Sequence, residues 1–213
     1  MADADHTALR RKAILESAVG LFDSHGYAVT TMDEIAAGAG ISKGSIYNYF
    51  QSKSDLFSRL FAEAITLDEA SVEEMFGRQV PATEKIAAYV DFWHHRLEHY
   101  LRVGRLTLEF WATAARGQDG GSLAGMLQEA QDRWLDRLSR VIAQGIADGE
   151  LQTPLDASAA AEFIHGVMDG LLVHMIVGVA GEAGEDTRRS LKRFVLAALG
   201  GPEPNGPSGG SED

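Results

Sequence analysis

"TTMDEIAAGAGISKGSIYNYFQSKSDLF" occupies residues 30–57, and within it Ile41–Lys53 holds no acid although the chain carries a formal net charge of −12. "TMDE" has the form of a capping box: Thr31 is the N-cap, and Glu34, three residues on, reaches back to its backbone N–H. The helix it opens must be short, because Gly38 and Gly40 arrive within two turns, and Gly40 suits the left-handed residue that closes a helix. Ser42 caps a third helix that ends near Phe50. "SKSD" sets Ser52 against Asp55 and launches a long fourth helix. Two short helices over 33–39 and 43–50, joined by a Gly-containing turn, make a helix-turn-helix.

Upstream, Ile14, Ala18, Leu21 and Phe22 fall at i, i+4, i+7 and i+8, one face of a helix over 9–25 that Gly26 ends. That face covers the apolar side of the pair through Ile35, Ile41, Ile46 and Phe50. Downstream, Leu56, Leu60, Ala64, Leu67 and Met75 carry the fourth helix, and Pro81 marks a break. Ile86, Val90, Trp93 and Leu97 define a fifth helix, and Leu106 and Phe110 a sixth that "ARGQDGGS" ends. Leu123, Leu127, Ala130, Trp134, Leu138 and Ile142 carry a seventh, closed by "DGELQTP". Two more follow over 156–179 and 186–199. No stretch shows the apolar/polar alternation of a strand, so the expected class is all-α with nine helices. The organisation reads as a flexible N-terminus over 1–8, the helix-turn-helix domain over 9–53, and a second helical domain over 54–199. A disordered Gly/Pro/Ser-rich tail follows over 200–213.

Composition narrows the chemistry. The chain has no cysteine, which excludes a disulfide framework, a thiolate metal site and a cysteine nucleophile. Its start lacks the apolar core of a secretory signal. The most apolar stretch, "ASAAAEFIHGVMDGLLVHMIVGVA", holds Glu162, His165, Asp169 and His174, each costly in lipid. The expectation is no membrane span and a cytoplasmic protein.

Charge is distributed unevenly. Residues 9–53 carry five basic against four acidic side chains, a net of +1, which leaves −13 for the rest of a chain at −12. A nucleic-acid partner would therefore meet this segment. The second helix of a helix-turn-helix enters the major groove with its N-terminal residues against base edges. Lys43 and Ser45 occupy that end, and Gly44 lets the backbone come close. Tyr47 and Asn48 follow on the exposed face, with Tyr49 adjacent. Lys53 starts the next helix, whose free N–H groups attract phosphate. Arg10, Arg11 and Lys12 read either as a phosphate-attracting arm or as a solvated face.

Residues 30–57 resemble the DNA-binding signature of tetracycline-repressor-type (TetR) transcription regulators, and the nine-helix layout is similar to that family. The resemblance implies a ligand-responsive homodimeric repressor, neither an enzyme nor dependent on a cofactor. Such a protein binds a palindromic operator in double-stranded DNA and is released by a small organic ligand. It implies DNA contacts from Thr31, Lys43, Gly44, Ser45, Tyr47, Asn48, Tyr49 and Lys53. Asp33 departs from the pattern, standing where many members carry a basic or neutral residue. An acid there also favours the positive N-terminal end of its own helix.

For residues 54–199 the resemblance implies ligand binding and dimerisation. Trp93, Tyr100, Phe110, Trp134 and Met168 are the expected pocket lining, with Arg96, Glu109, His165 and Asp169 as the groups that orient a ligand. Gly166 and Gly170 permit close helix approach, and Leu191, Phe194, Val195, Ala198 and Leu199 form an apolar stripe. Helices eight and nine are therefore the expected dimer interface. A competing reading is a helical metal-dependent oxidase, from His95 and His99 at i, i+4 and an ExxH pair, Glu162 and His165. No second ExxH is present. A third reading is a ligand-binding module whose helix-turn-helix has lost DNA binding.

Overall fold

Local signals in the sequence act through identifiable hydrogen bonds. The computed structural model describes residues 2–102, 104–117, 122–181 and 184–201, with the side chains of 2–5, 67, 98–100, 102, 105 and 122 outside that description. The expected tail beyond residue 201 and the side chains of His99 and Tyr100 thus lie outside the described residues. The helices are α1 (Ala2–His25), α2 (Met32–Gly38), α3 (Lys43–Ile46), α4 (Lys53–Phe76), α5 (Ala82–Arg102), α6 (Gly104–Arg116), α7 (Ser122–Ala147), α8 (Ala157–Ile176) and α9 (Glu185–Ala198). Among the described residues there is no strand.

At α2 the capping box is complete: Glu34 N–H donates to Thr31 Oγ1 at 3.3 Å, and Thr31 N–H donates to the Glu34 carboxylate at 2.8 Å. Those bonds hold the Glu34 carboxyl below its usual range. Gly40 closes the turn at φ +67°. At α4 the box is displaced by one residue. Asp55 N–H donates to Ser52 Oγ, but the Asp55 carboxylate takes the N–H of Gln51 at 2.9 Å.

Three helices differ in length from expectation, α8 by ending at Ile176 rather than at residue 179. α1 begins at Ala2, earlier than the expected residue 9. α3 keeps regular bonding only to Ile46. Asn48 and Tyr49 N–H then bond three residues back, continuing the turn to Phe50 in tighter form.

The chain forms two compact units, Met1–Asp68 with Arg102–Glu129, and Glu69–Leu101 with Ala130–Asp213. The first therefore continues well past residue 53. α4 and α7 each contribute residues to both.

In the first unit, Ile14, Ala18 and Phe22 of α1 pack with Ile35, Ile46, Phe50, Leu56 and Phe57, and α6 adds Leu106, Phe110 and Ala114. Aromatic rings dominate the middle: Phe57 meets Phe22 edge-on at 5.7 Å, and Phe61 stacks on Phe110 at 3.7 Å. Phe110, expected to line a ligand pocket, is a core residue of this unit at 1% exposure.

In the second unit, Glu150 caps α5 by accepting the Ala82 N–H at 2.6 Å. Asp91 on α5 binds Arg188 and Lys192 of α9, the latter at 2.7 Å. The core here includes Ile86, Leu97, Leu138, Ile142, Met168 and Val195.

Phe110→Ala should destabilise the first unit by about 3–5 kcal/mol, because it opens a cavity beneath Phe57 and Phe61. Urea unfolding followed by circular dichroism measures this, and a loss under about 1 kcal/mol would place α6 outside that core.

Candidate nucleic-acid interface

Gly38 sets the crossing of α1 and α2. Ser17 Oγ donates to Ile35 O at 3.0 Å, and a Cβ at position 38 would come within 2.3 Å of that hydroxyl. With Ile46 and Phe50 turned inward, Lys43, Gly44, Tyr47 and Asn48 are exposed, and Ser45 is half-buried. Ser45 N–H donates to Ser42 Oγ, and the two hydroxyls share a 2.7 Å hydrogen bond. Tyr49 leans on the core and is half-buried. Thr31 faces out, but its hydroxyl donates to Glu34 at 2.8 Å.

The lysines differ sharply. Lys43 Nζ donates to Asp33 Oδ2 at 2.6 Å, a pair left 70% and 49% exposed. Asp33 raises the Lys43 pKa through that bond and its charge. Lys53, expected at a phosphate, instead donates to three backbone carbonyls: Tyr27 at 2.6 Å, Thr30 at 2.8 Å and Ala28 at 3.0 Å. An ammonium has three N–H donors, so all are committed. It also lies 4.5 Å from the Tyr27 ring centre, and burial lowers its pKa. Sequence reading placed Lys53 at the correct helix start but missed this role, since its acceptors lie 23 to 26 residues away.

The basic run near the start is likewise engaged. Arg11 lies 5.1 Å from the Phe50 ring centre and 3.8 Å from Glu63, and Lys12 lies 3.8 Å from Glu16. The run lies within α1 rather than on a loose arm. What remains is an outward face of hydroxyls, an amide and one ammonium held by the Asp33 carboxylate, in an arrangement that suits a DNA groove.

Comparison with known proteins agrees. A family model described as "Bacterial regulatory proteins, tetR family" matches residues 14–60, and "BetI-type transcriptional repressor, C-terminal" matches residues 82–200. The chain belongs to the TetR family. The fatty acid metabolism regulator protein of Bacillus subtilis is 28% identical over 157 residues, covering 73% of this chain and 78% of that protein. The HTH-type transcriptional regulator AcrR of Shigella flexneri is 27% identical over 168 residues, 76% of each. Two crystal structures share the fold. A Saccharomonospora viridis regulator in complex with choline has a TM-score of 0.76 at 22% identity, covering 92% of this chain and 96% of that one. FadR from Bacillus subtilis in complex with stearoyl-CoA has 0.70 at 23%, covering 88% and 98%. As a TetR-family member the chain is a DNA-binding transcriptional regulator.

The second unit gathers several of the residues expected around a TetR ligand. His165 is buried, with Nδ1 at 3.0 Å from the Tyr89 hydroxyl and Nε2 at 3.6 Å from Asp169 Oδ2. Burial raises the Asp169 pKa against the opposing effect of His165. The Trp134 ring lies 5.8 Å from His165, and its buried Nε1 has no acceptor among the described residues. Trp93 and Met168 are buried, and Arg96 is half-buried. Tyr89 was not anticipated, although it stands three residues after Ile86 and a buried Tyr hydroxyl needs a partner. Glu109 and Phe110 belong to the first unit, where Glu109 lies 3.6 Å from Arg116.

The metal reading finds little support. His95 Nδ1 sits 2.7 Å from the Asp91 carbonyl of its own helix, Glu162 is exposed, and no three metal-binding side chains converge among the described residues.

Lys53→Ala should lower stability by about 1–3 kcal/mol, by depriving three carbonyls of their donor. It should leave the salt dependence of DNA binding unchanged, because the ammonium is not free for phosphate. Thermal melting and a salt titration check both. A slope reduced by about 0.9 per protomer with unaltered melting would restore the phosphate role.

Proposed function

We propose that this regulator is a homodimeric repressor that grips a palindromic operator with residues 43–49 and releases it when a small organic ligand occupies the second unit. The observation that carries the DNA part is the outward face of α3, free of acids from Ile41 to Lys53 in a chain of net charge −12. The C-terminal family description, a transcriptional repressor, favours repression over activation. Regulators among the relatives favour this reading over a metal oxidase. The cytoplasm, where the operator lies, is its proposed location.

Dimerisation is assigned to α8 and α9. Phe163, Val167 and Phe194 are exposed at 65%, 40% and 55%, alongside exposed Gly166, Gly170 and Ala198. Val167, Leu171, Leu191 and Phe194 line a groove of about 480 Å³ between the two helices. A two-fold axis would set the same apolar strip of each copy against the other. The expected stripe on α9 is split, however. Leu191 and Val195, at 6% and 0% exposure, are packed inside their own subunit, while Phe194 and Ala198 face outward. The stripe is wide enough to serve two partners.

For ligand binding, the support is the cluster of Tyr89, Trp134, His165 and Asp169, an aromatic and apolar site with few polar anchors. A donor without an acceptor among the described residues, at Trp134, favours a ligand bearing an acceptor oxygen. The ligands of the two structural neighbours, choline and stearoyl-CoA, are the first probes.

Phe194→Asp with Val167→Asp should yield monomers with an intact helical spectrum and weak operator binding, because both carboxylates would be desolvated in the seam. Sedimentation measures it, and a persistent dimer would move the interface elsewhere. The ligand reading is checked by titrating choline and stearoyl-CoA against tryptophan fluorescence, with and without an operator duplex recovered from random DNA. The effective ligand should lose affinity in the presence of DNA by the factor it imposes on operator binding, about 5- to 150-fold, since linkage is reciprocal. A probe bound equally well with DNA present is not the releasing ligand.

A further inference from the structure

We infer that Asp33 and Lys43 act together as a reader of one G·C base pair in each operator half-site, Lys43 on the guanine edge and Asp33 on the cytosine amino group. The inference rests on the DNA-binding reading and deepens it. Asp33 is the second residue of α2 and Lys43 the first of α3, so the two helices of the motif each supply one member. Their polar atoms lie 2.6 Å apart, and the side chains are exposed at 70% for Lys43 and 49% for Asp33. The pair thus presents one donor group and one acceptor-only group at hydrogen-bond spacing. A G·C pair presents the complement in the major groove: guanine N7 and O6 accept, and the neighbouring cytosine N4 amino group donates.

An A·T pair also offers a donor beside an acceptor, but fits less well. A carboxylate on adenine N6 would stand beside the acceptor N7, and an ammonium on thymine O4 would meet the C5 methyl group. On G·C the ammonium finds two adjacent acceptors and the carboxylate finds no competing lone pair. Glu34, the other acid of that turn, is occupied by the Thr31 N–H and hydroxyl. Asp33 alone is therefore available.

Energetics of the free protein agree with exchange onto DNA. A solvent-exposed ion pair contributes little to stability, so opening it toward base edges costs little. While closed, it restrains Lys43 from indiscriminate phosphate contact. A carboxylate on this face repels a duplex at every site that offers it no amino group. Asp33 thus lowers non-specific affinity and restores affinity at the correct base pair, acting by rejection as much as by attraction.

The test is selection from a pool of random duplexes by the full-length wild type, Asp33→Asn and Lys43→Ala, each first shown to be folded by circular dichroism. The wild type should recover two-fold related half-sites sharing a fixed G·C pair. Replacing that pair by A·T in one half-site should weaken wild-type binding by about 5- to 150-fold. Asp33→Asn should lose most of that discrimination and bind an unrelated duplex more tightly. Its log–log salt slope there should steepen by up to about 1.8 per dimer, one released lysine in each protomer. Lys43→Ala should relax the same position without tighter non-specific binding. Undiminished G·C preference in Asp33→Asn, or relaxation of different positions by the two variants, overturns the inference alone. Failure of the wild type to retain any duplex overturns the DNA-binding reading and this inference with it.

Discussion

Three backbone carbonyls converge on the ammonium of Lys53, and the geometry of the first unit depends on it. Tyr27, Ala28 and Thr30 lie in the connection between α1 and α2, and their carbonyls all accept from this one ammonium. Removing a charge from water is unfavourable, and the lowered Lys53 pKa records that cost. Three acceptors and the Tyr27 ring offset it. Tyr27 packs 4.4 Å from Phe57, which in turn meets Phe22 and Phe61. One lysine thus joins the first turn of α4 to the α1–α2 connection and to the aromatic core beneath. The helix-turn-helix cannot change its angle to the start of α4 without breaking these bonds.

That constraint gives the proposed release mechanism its physical form. Within the first unit, α2, α3, the start of α4 and the core face of α6 are packed into one cluster through Ile35, Ile46, Phe57 and Phe110. α4 is one uninterrupted helix from Lys53 to Phe76, and its last turns form salt bridges from Glu69 to Arg133 and from Glu73 to Arg137. In this reading a ligand that favours a different arrangement of those last turns acts on the DNA-binding face through the helix. The size of the effect equals its differential affinity for the two arrangements.

The legible parts of the sequence were those governed by near neighbours. The capping box at Thr31, the Ser52 cap, the stop at Gly40 and the apolar periodicities placed the helices found among the described residues, because each signal acts within one or two turns. Interactions over longer separations were not legible. Lys53 looked like a phosphate ligand because its acceptors are more than 20 residues away. Asp33 looked like a cap-favouring acid because its partner Lys43 is on another helix. Leu191 and Phe194 share a stripe, yet one is buried in its own subunit and the other exposed, and periodicity does not say which neighbour covers which edge. Glu109 and Phe110 were grouped with the pocket by helical content, but aromatic packing with Phe61 assigns α6 to the first unit.

An acidic chain can bind a polyanion because electrostatic range is short. At physiological ionic strength the Debye length is about 8 Å, so charges farther from the duplex are largely screened. The acids outside residues 9–53 make the protein acidic without repelling DNA wherever they lie beyond that distance. They still reduce long-range attraction, and hence the non-specific binding that occupies a basic regulator elsewhere on the chromosome. Within the screening distance each charge counts heavily. There the sequence is free of acids from Ile41 to Lys53, and the Asp33 carboxylate is held by the Lys43 ammonium. Affinity must then come from close hydrogen bonds, which form only where the base edges match. The same arrangement that keeps the protein off most DNA makes the correct sequence distinguishable.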